Sequence, residues 1–307
     1  MQLMKKAAAI LFFLIMTICI LTHSELSLAY AALGLQLWYE RMVPVLLPFM
    51  ILSGTLIRMG LVPMLIRPVK PLFTKLFCLS EQAVYVILMG FLCGFPMGAR
   101  TIADFRDRQE LSVWEGQYLL AFCNNLGPVY FISFVLPLLH RKLILPYLAA
   151  MYGIPLVYGL LLRHTVFRKR SSHSNRDSEE RASVMALPDA LDEAVSASGR
   201  NILQLGGYMI FFNLLGLLPR LFLHHSYRYA PLLEISGGLK LLGERCPLYT
   251  LLLLPMGGLS CIAQTSSCIR NTGLSLRKYI IDKIILTLLT GSYYLGWFLL
   301  SPETFLL

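Results

Sequence analysis

Residues 83–99, AVYVILMGFLCGFPMGA, are apolar enough to enter a membrane but are interrupted by Gly90, Gly94, Pro96 and Gly98. An α-helix needs about 20 apolar residues to cross a hydrocarbon core of about 30 Å. This run is shorter than that, and its glycines and proline are residues that break a helix. We therefore expect the segment to enter and leave the membrane on the same side, as a re-entrant helical hairpin.

A second apolar run of the same kind lies in the C-terminal half of the chain. Residues 248–262, LYTLLLLPMGGLSCI, are broken by Pro255, Gly257 and Gly258, and we expect a second re-entrant hairpin here. Around these two segments lie long apolar runs that predict about six transmembrane helices. The runs are residues 7–22, 43–61, 117–136, 143–162, 201–223 and 279–300.

The composition agrees with this interpretation. Hydrophobic residues make up 56% of the 307-residue chain and charged residues only 14%, and the mean hydropathy is +0.64. A water-soluble domain of this size could not bury so much apolar surface in one core. The predicted fold class is an all-α, polytopic membrane protein, with the lipid bilayer as its first partner.

The net charge of +10 comes from basic loops, which do not suggest a nucleic-acid-binding face. Basic residues are densest in residues 163–181, and the positive-inside rule places this loop in the cytoplasm. Alternate crossings from that loop place the N-terminus in the cytoplasm as well. A cleaved signal peptide is the alternative for the first apolar run, because Lys5 and Lys6 precede it.

This topology divides the chain into four parts. Residues 1–42 are predicted to form a signal-anchor helix and an outer loop, 43–162 a first repeat, 163–200 a basic cytoplasmic linker, and 201–307 a second repeat. Each repeat has the order long helix, broken segment, long helix, and the two repeats run in opposite directions. Inverted repeats are typical of secondary transporters, whose solute site lies where broken helices meet near the middle of the membrane.

The candidate substrate site is therefore built from the two broken segments. Helix N-termini at the breaks offer N–H groups and partial positive charge to an anionic or carbonyl-bearing solute. In the first segment this assigns substrate binding to Gly94, Pro96, Gly98 and Arg100, whose guanidinium could pair with a carboxylate. The alternatives are close helix packing for the glycines and an interfacial position for Arg100.

Amides and hydroxyls complete this candidate site. Asn124 and Asn125 interrupt an apolar run, where polar side chains hold either a solute or a neighbouring helix. The uncharged groups after the second break suit a carboxylate oxygen or a neutral ring. The substrate-binding residues predicted there are Gly257, Gly258, Gln264, Thr265 and Ser266.

Glu234 lies ahead of the second broken segment, and its carboxylate could couple proton movement to transport. A solvated outer loop is the alternative for this residue. The sequence contains no G-x-S-x-G, H-E-x-x-H, Walker A or dinucleotide-binding motif, and its histidines fall in loops. We therefore predict neither an enzyme nor a metal or cofactor site.

Five short motifs occur in the order found in a known family. They are Pro44–Phe49 (PVLLPF), Gly94–Arg100 (GFPMGAR), Asn125 with Gly127-Pro128, Glu234–Gly238 (EISGG), and Gly257–Ser260 (GGLS) with Gln264. In these residues the chain resembles the sporulation integral membrane protein YlbJ (SpoVV-like) family, whose members carry a Gate or nucleoside recognition domain.

The resemblance implies a protein of the bacterial cell membrane or the outer forespore membrane in an endospore-forming bacterium. It also implies dipicolinic acid, a small aromatic dianion, as the solute. Other sporulation membrane proteins or a second copy of the chain are the protein partners to expect. The alternative function is a membrane scaffold or assembly factor in sporulation that transports nothing.

Overall fold

The computed structural model describes residues 2–77, 79–139, 144–167, 185–223, 226–242 and 247–302, and in these ranges it contains helices and turns but no strand. Five helices within them are long and apolar enough to cross a membrane. They are Ser24–Arg58, Ile144–His164, Leu187–Phe222, Leu248–Cys268 and Leu276–Leu300. The prediction of an all-α, polytopic membrane protein is confirmed.

We number fifteen helices in chain order. Helical segments that follow one another directly are given one number, and the two halves of a broken helix are numbered separately. The first half contains α1 (Gln2–Thr22), α2 (Ser24–Arg58), α3 (Val62–Ile66), α4 (Lys70–Phe77), α5 (Glu81–Cys93), α6 (Met97–Asp107), α7 (Val113–Phe122), α8 (Pro128–Leu138) and α9 (Ile144–His164). The second half contains α10 (Leu187–Phe222), α11 (Ala230–Leu233), α12 (Ile235–Leu242), α13 (Pro247–Leu253), α14 (Gly258–Cys268) and α15 (Leu276–Leu300).

Helices α2 and α10 pack side by side in opposite directions. Near the start of α2, a Cβ on Gly34 would lie 2.8 Å from Ile210 Cα, and near its end a Cβ on Gly54 would lie 3.3 Å from Ala194 Cβ. The Arg58 guanidinium then pairs with the Glu193 carboxylate at 3.0 Å. The absence of a side chain at the two glycines lets the helices approach closely, as in small-residue packing between membrane helices.

Helices α5 and α6 form a hairpin. Ser80 caps the N-terminus of α5 by accepting the N–H of Ala83, and the chain then reverses at Gly94–Pro96. Tyr85 in α5 and Phe105 in α6 stand on opposite sides of this turn, and their ring centroids are 5.9 Å apart. Residues so far from the turn can meet only if the two helices run antiparallel. The hairpin is longer than the predicted segment 83–99, because its second helix extends to Asp107.

The second broken segment is not a hairpin, and the prediction of a re-entrant turn at residues 248–262 is wrong. Leu252 approaches Gly291 of α15, Pro255 contacts Lys283, and Thr265 contacts Tyr279. These contacts move steadily along α15, so α13 and α14 continue in one direction past the break. Helix α13 ends before Pro255 and Gly257, but α14 continues in the same direction because both helices pack against α15.

A similar break divides the predicted continuous helix at residues 117–136. Helix α7 ends at Phe122 and α8 begins at Pro128. Tyr118 of α7 donates a hydrogen bond to the carbonyl of Gly159 at 2.8 Å, and Phe131 of α8 stacks on Tyr147. These contacts also progress along one neighbour, α9, so α7 and α8 form a broken crossing helix.

A second hairpin lies at Glu234, between α11 and α12. Glu234 has an extended backbone that ends α11, and a Cβ on Gly238 would lie only 2.2 Å from Pro231 N. The order long helix, hairpin, broken helix, long helix therefore occurs twice. The hairpin at Gly94 corresponds to the turn at Glu234, and the break at residues 123–127 corresponds to the break at residues 254–257.

Two predicted boundaries differ from the structure. Residues 24–42, predicted as an outer loop, belong to helix α2. Residues 187–200, predicted as part of a cytoplasmic linker, form the start of α10, because Ala190, Ala194 and Ser198 make a buried face along one side of an otherwise polar helix. The basic residues between 168 and 184 lie outside the described residues.

Candidate functional site

The four interruptions of the chain meet in one place. A Cβ on Gly94, in the first hairpin, would lie 2.2 Å from Gly127 N in the first broken helix. A Cβ on Gly257, in the second broken helix, would lie 2.6 Å from Cζ of Phe95, and one on Gly258 would lie 2.9 Å from Pro231 O in the second hairpin. Both hairpins and both broken helices therefore touch through positions where only glycine fits.

A cavity opens between these interruptions. Its lining includes Cys93, Phe95, Gly127, Tyr130, Glu234 and Gln264. Its empty volume is about 660 Å³, a figure that includes the space at its open mouth. We name this cavity the central chamber.

The central chamber lies halfway along the two long helices. Arg41 and Leu46 of α2 line it, and so do Leu205 and Met209 of α10. These residues are close to the midpoints of the 35-residue α2 and the 36-residue α10. This is the position expected for the solute site of an inverted-repeat carrier.

Glu234 supplies a buried carboxylate to the chamber. Its Oε2 atom accepts the N–H of Gly237 at 2.6 Å and Nδ2 of Asn213 at 3.2 Å. No cation among the described residues lies within ion-pair distance of Glu234. The residue is thus part of the chamber wall, and the alternative of a solvated loop is wrong.

Gln264 stands between the chamber and a second cavity. Its amide nitrogen donates to Ser260 Oγ at 2.9 Å, and its side chain borders both spaces. Pro96 and Arg100 line the second cavity together with Asn201 of α10. Of the predicted residues, Gln264 therefore borders both cavities, whereas Pro96 borders only the second.

Arg100 does not face the central chamber. Its guanidinium pairs with Asp104 at 2.7 Å and donates to Asn201 Oδ1 at 3.2 Å. The prediction that Arg100 binds a solute carboxylate at the same place as the glycine breaks thus has to be revised, because an internal carboxylate already occupies the guanidinium. A solute in the second cavity would have to compete with Asp104.

Asn124 and Thr265 form a buried hydrogen-bonded cluster instead of a solute surface. Asn124 Oδ1 accepts the N–H of Ala99 at 3.3 Å, and its Nδ2 donates to Thr265 Oγ1 at 2.9 Å and to Tyr279 Oη at 3.0 Å. The cluster joins α6, α14 and α15 to the break between α7 and α8. Of the two alternatives for Asn124, binding of neighbouring helices is the one that the structure favours.

Gly98 and Ser266 contribute no wall to either cavity. A Cβ on Gly98 would lie 2.5 Å from the carbonyl oxygen of Cys123, so this glycine permits close packing. Ser266 is half-buried on α14 and borders neither the central chamber nor the second cavity.

Asn125 contacts Lys283, a buried residue that is not among the predicted site residues. Its Nδ2 atom donates to the carbonyl of Phe122 at 2.6 Å, and its Oδ1 accepts from Lys283 Nζ at 3.0 Å. Lys283 also donates to Pro255 O at 3.1 Å, and its side chain is 1% exposed. The available signal was a single lysine within the apolar run of residues 279–300, because a charge at that depth is costly and usually functional.

Comparison with known proteins agrees with the motif resemblance. Residues 40–187 match the profile of the Gate family, described as nucleoside recognition. The chain is 29% identical over 220 residues to the sporulation integral membrane protein YlbJ of Bacillus subtilis. The matched region covers 66% of this chain and 54% of the relative. The chain thus spans about half the length of this relative, and no solved structure matches it significantly. Residues 40–187 are therefore similar to the Gate family, and the chain is similar to YlbJ, as its motifs predicted.

Proposed function

We propose that this protein carries a small polar or anionic solute across the membrane by exposing the central chamber alternately to the two sides. The observation that carries the proposal is one open cavity lined by both hairpin turns, by the first helix break and by α14 of the second broken helix. Broken backbone at membrane depth is tolerated where it is buried in protein or lines a water-filled space, because an unpaired peptide group in lipid costs several kcal/mol. A solute-binding chamber would explain why these interruptions lie at membrane depth.

The start of one broken helix favours an anionic solute. Helix α8 begins at Pro128, and its N-cap residue, Gly127, lines the chamber. A helix N-terminus carries partial positive charge and free N–H groups. Arg41 adds a cationic side chain at the wall.

Aromatic side chains in the wall suit a planar solute. Phe95, Tyr130 and Phe134 all border the chamber. Dipicolinate has an aromatic ring and two carboxylates, and the resemblance to a sporulation membrane protein supports it as the first solute to test. We extend the proposal to transport during spore formation, in the cell membrane or the outer forespore membrane, with a cytoplasmic N-terminus and no enzymatic activity.

Uptake by proteoliposomes tests this function. We expect the wild-type chain to move labelled dipicolinate. We expect Glu234→Gln to lower the rate by about tenfold or more, since a charged hydrogen bond in a desolvated site contributes about 1.5–3 kcal/mol. Glu115→Gln is the matched control. Glu115 is another buried carboxylate that accepts a backbone N–H, from Ser80 at 2.8 Å, but it lies away from the chamber.

Three outcomes are informative. Loss of uptake in Glu234→Gln with uptake retained in Glu115→Gln supports transport through the chamber. Equal loss in both variants indicates a general effect on folding and counts against a specific role for Glu234. Background uptake by the wild type of dipicolinate and of other small carboxylates contradicts the transport proposal and favours the scaffold.

A further inference from the structure

Lys283 carries an ammonium group in an unusual place. The group is buried in the first third of α15. Its neighbours are the Asn125 side-chain oxygen at 3.0 Å, the Pro255 carbonyl at 3.1 Å and the Phe95 ring, whose centroid is 4.4 Å away. Among the residues that the structure describes, no carboxylate lies within ion-pair distance of it. All of its contacts are therefore with neutral groups.

The compensating charge comes from the ends of two broken helices. Pro255 O lies two residues beyond the end of α13. Asn125 binds the last carbonyl of α7, that of Phe122, and turns its own oxygen toward the ammonium. Each helix C-terminus carries a partial negative charge of up to about half an electron. Two such ends facing one ammonium can balance it without a carboxylate.

The same oxygens would suit a metal cation. In inverted-repeat carriers, unwound backbone carbonyls and the C-terminal ends of half-helices coordinate the coupling cation. Here those groups come from both broken helices, and the lysine side chain reaches them from a third element, α15. The Phe95 ring adds a further favourable contact for a cation.

We propose that the Lys283 ammonium is a tethered cation, occupying the position between the two broken helices where a carrier of this architecture would otherwise bind a coupling metal ion. The consequence for transport rests on the proposed function: solute movement needs neither Na⁺ nor K⁺. The occupancy itself does not rest on transport, so the two can be tested separately.

The occupancy is tested by thermal unfolding of the purified full chain in detergent, in NaCl, KCl and choline chloride at equal ionic strength. The wild type is expected to unfold at one temperature in all three salts. Lys283→Ala leaves the oxygens without their cation, so it is expected to unfold at a lower temperature in choline. Na⁺ or K⁺ should then raise its unfolding temperature by about 2 °C or more by binding in the vacated place.

Lys278→Ala is the matched control, because Lys278 lies on the same helix with its side chain exposed. If Lys283→Ala responds to Na⁺ and K⁺ no more than Lys278→Ala does, the proposal is overturned. A purely structural hydrogen bond would lower the unfolding temperature of Lys283→Ala without producing this new response to metal ions.

A second measurement applies to the wild type and does not depend on whether Lys283→Ala folds. Dipicolinate uptake into proteoliposomes is expected to keep its rate when choline replaces Na⁺ and K⁺ on both sides. A loss of tenfold or more in choline would overturn the tethered-cation proposal while supporting transport. Absence of uptake in every salt would instead count against the proposed function, and the unfolding experiment would still decide the role of Lys283.

Discussion

Gly94 and Gly127 form the closest approach between the first hairpin and the first broken helix. Gly94 has a φ of +77°, which disfavours any other residue, and a Cβ there would lie 2.2 Å from Gly127 N. An alanine at position 94 would have an unfavourable φ, and its Cβ would clash with backbone atoms that are held in place by their neighbours. We expect Gly94→Ala to lower stability by about 2–4 kcal/mol, measured by thermal unfolding in detergent.

Gly207→Ala provides the comparison for Gly94→Ala. Gly207 is helical in α10, and no atom lies within 4 Å of the place where its Cβ would stand. Alanine should be neutral there or stabilise by up to about 1 kcal/mol, because it favours the helix. Equal destabilisation by the two substitutions would contradict the close approach at Gly94.

At the residue scale, the sequence predicted which residues break a helix better than it predicted which side chains pair with each other. Gly94 and Gly257 were correctly identified because their conformational requirement is local. The partners of Arg100 and Asn124 come from α6, α10, α14 and α15, so no local pattern indicates that an internal carboxylate pairs with Arg100. Lys283 was missed because the length of its apolar run dominated the interpretation.

Thr265 ties three elements together and permits a test of the buried cluster. Its hydroxyl accepts from Asn124 and contacts Tyr279 Oη at 3.4 Å. We expect Thr265→Val, which keeps the shape but removes the hydroxyl, to lower stability by about 1–3 kcal/mol, because one of the two buried amide N–H bonds of Asn124 loses its acceptor. Ser266→Ala, at the half-buried neighbouring position, should change stability by about 0.5 kcal/mol or less.

At the element scale, the directions of the two halves on either side of each break can be tested by disulfide cross-linking. In a chain with its native cysteines replaced by serine, Tyr85→Cys with Phe105→Cys should cross-link, because those rings meet across the first hairpin. Leu252→Cys with Gly291→Cys should also cross-link, since Leu252 Cδ2 would lie 3.3 Å from a Cβ at position 291.

The pair Leu252→Cys with Ser260→Cys distinguishes a crossing helix from a hairpin. The two positions lie on either side of the break and would meet only if the chain reversed there. We expect no cross-link between them. Efficient formation of this disulfide would restore the re-entrant interpretation of residues 248–262.

Glycine and proline indicate where a helix stops but carry no information on where the chain goes next. Both Gly94–Pro96 and Pro255–Gly257 interrupt helices, yet the first turns back and the second continues. The difference arises from distant contacts, with α15 guiding α13 and α14. The same limit explains residues 187–200, whose polar sequence is helical because its small residues pack on α2.

At the scale of the whole molecule, both repeats are needed to build one chamber. The Gate profile covers residues 40–187, which include the first hairpin and the first broken helix. Glu234 and Gln264 come from the second repeat and complete the wall. The sequence predicted an inverted repeat with one broken segment between two long helices in each half. In the structure each half has both a hairpin and a broken helix between its long helices, and the hairpin at Gly94 corresponds to the turn at Glu234.

Two native cysteines allow a direct test of the chamber as a solute pathway. Cys93, at the end of α5, and Cys261, in α14, line its wall, whereas Cys123 is buried and lies outside it. The measurement is the rate at which a small thiol reagent modifies each cysteine in proteoliposomes, with and without dipicolinate, read by mass spectrometry. If the chamber is the solute pathway, Cys93 and Cys261 react faster than Cys123 and are protected by the solute. Reaction of both at the rate of Cys123, or at a rate that no small carboxylate changes, would contradict it.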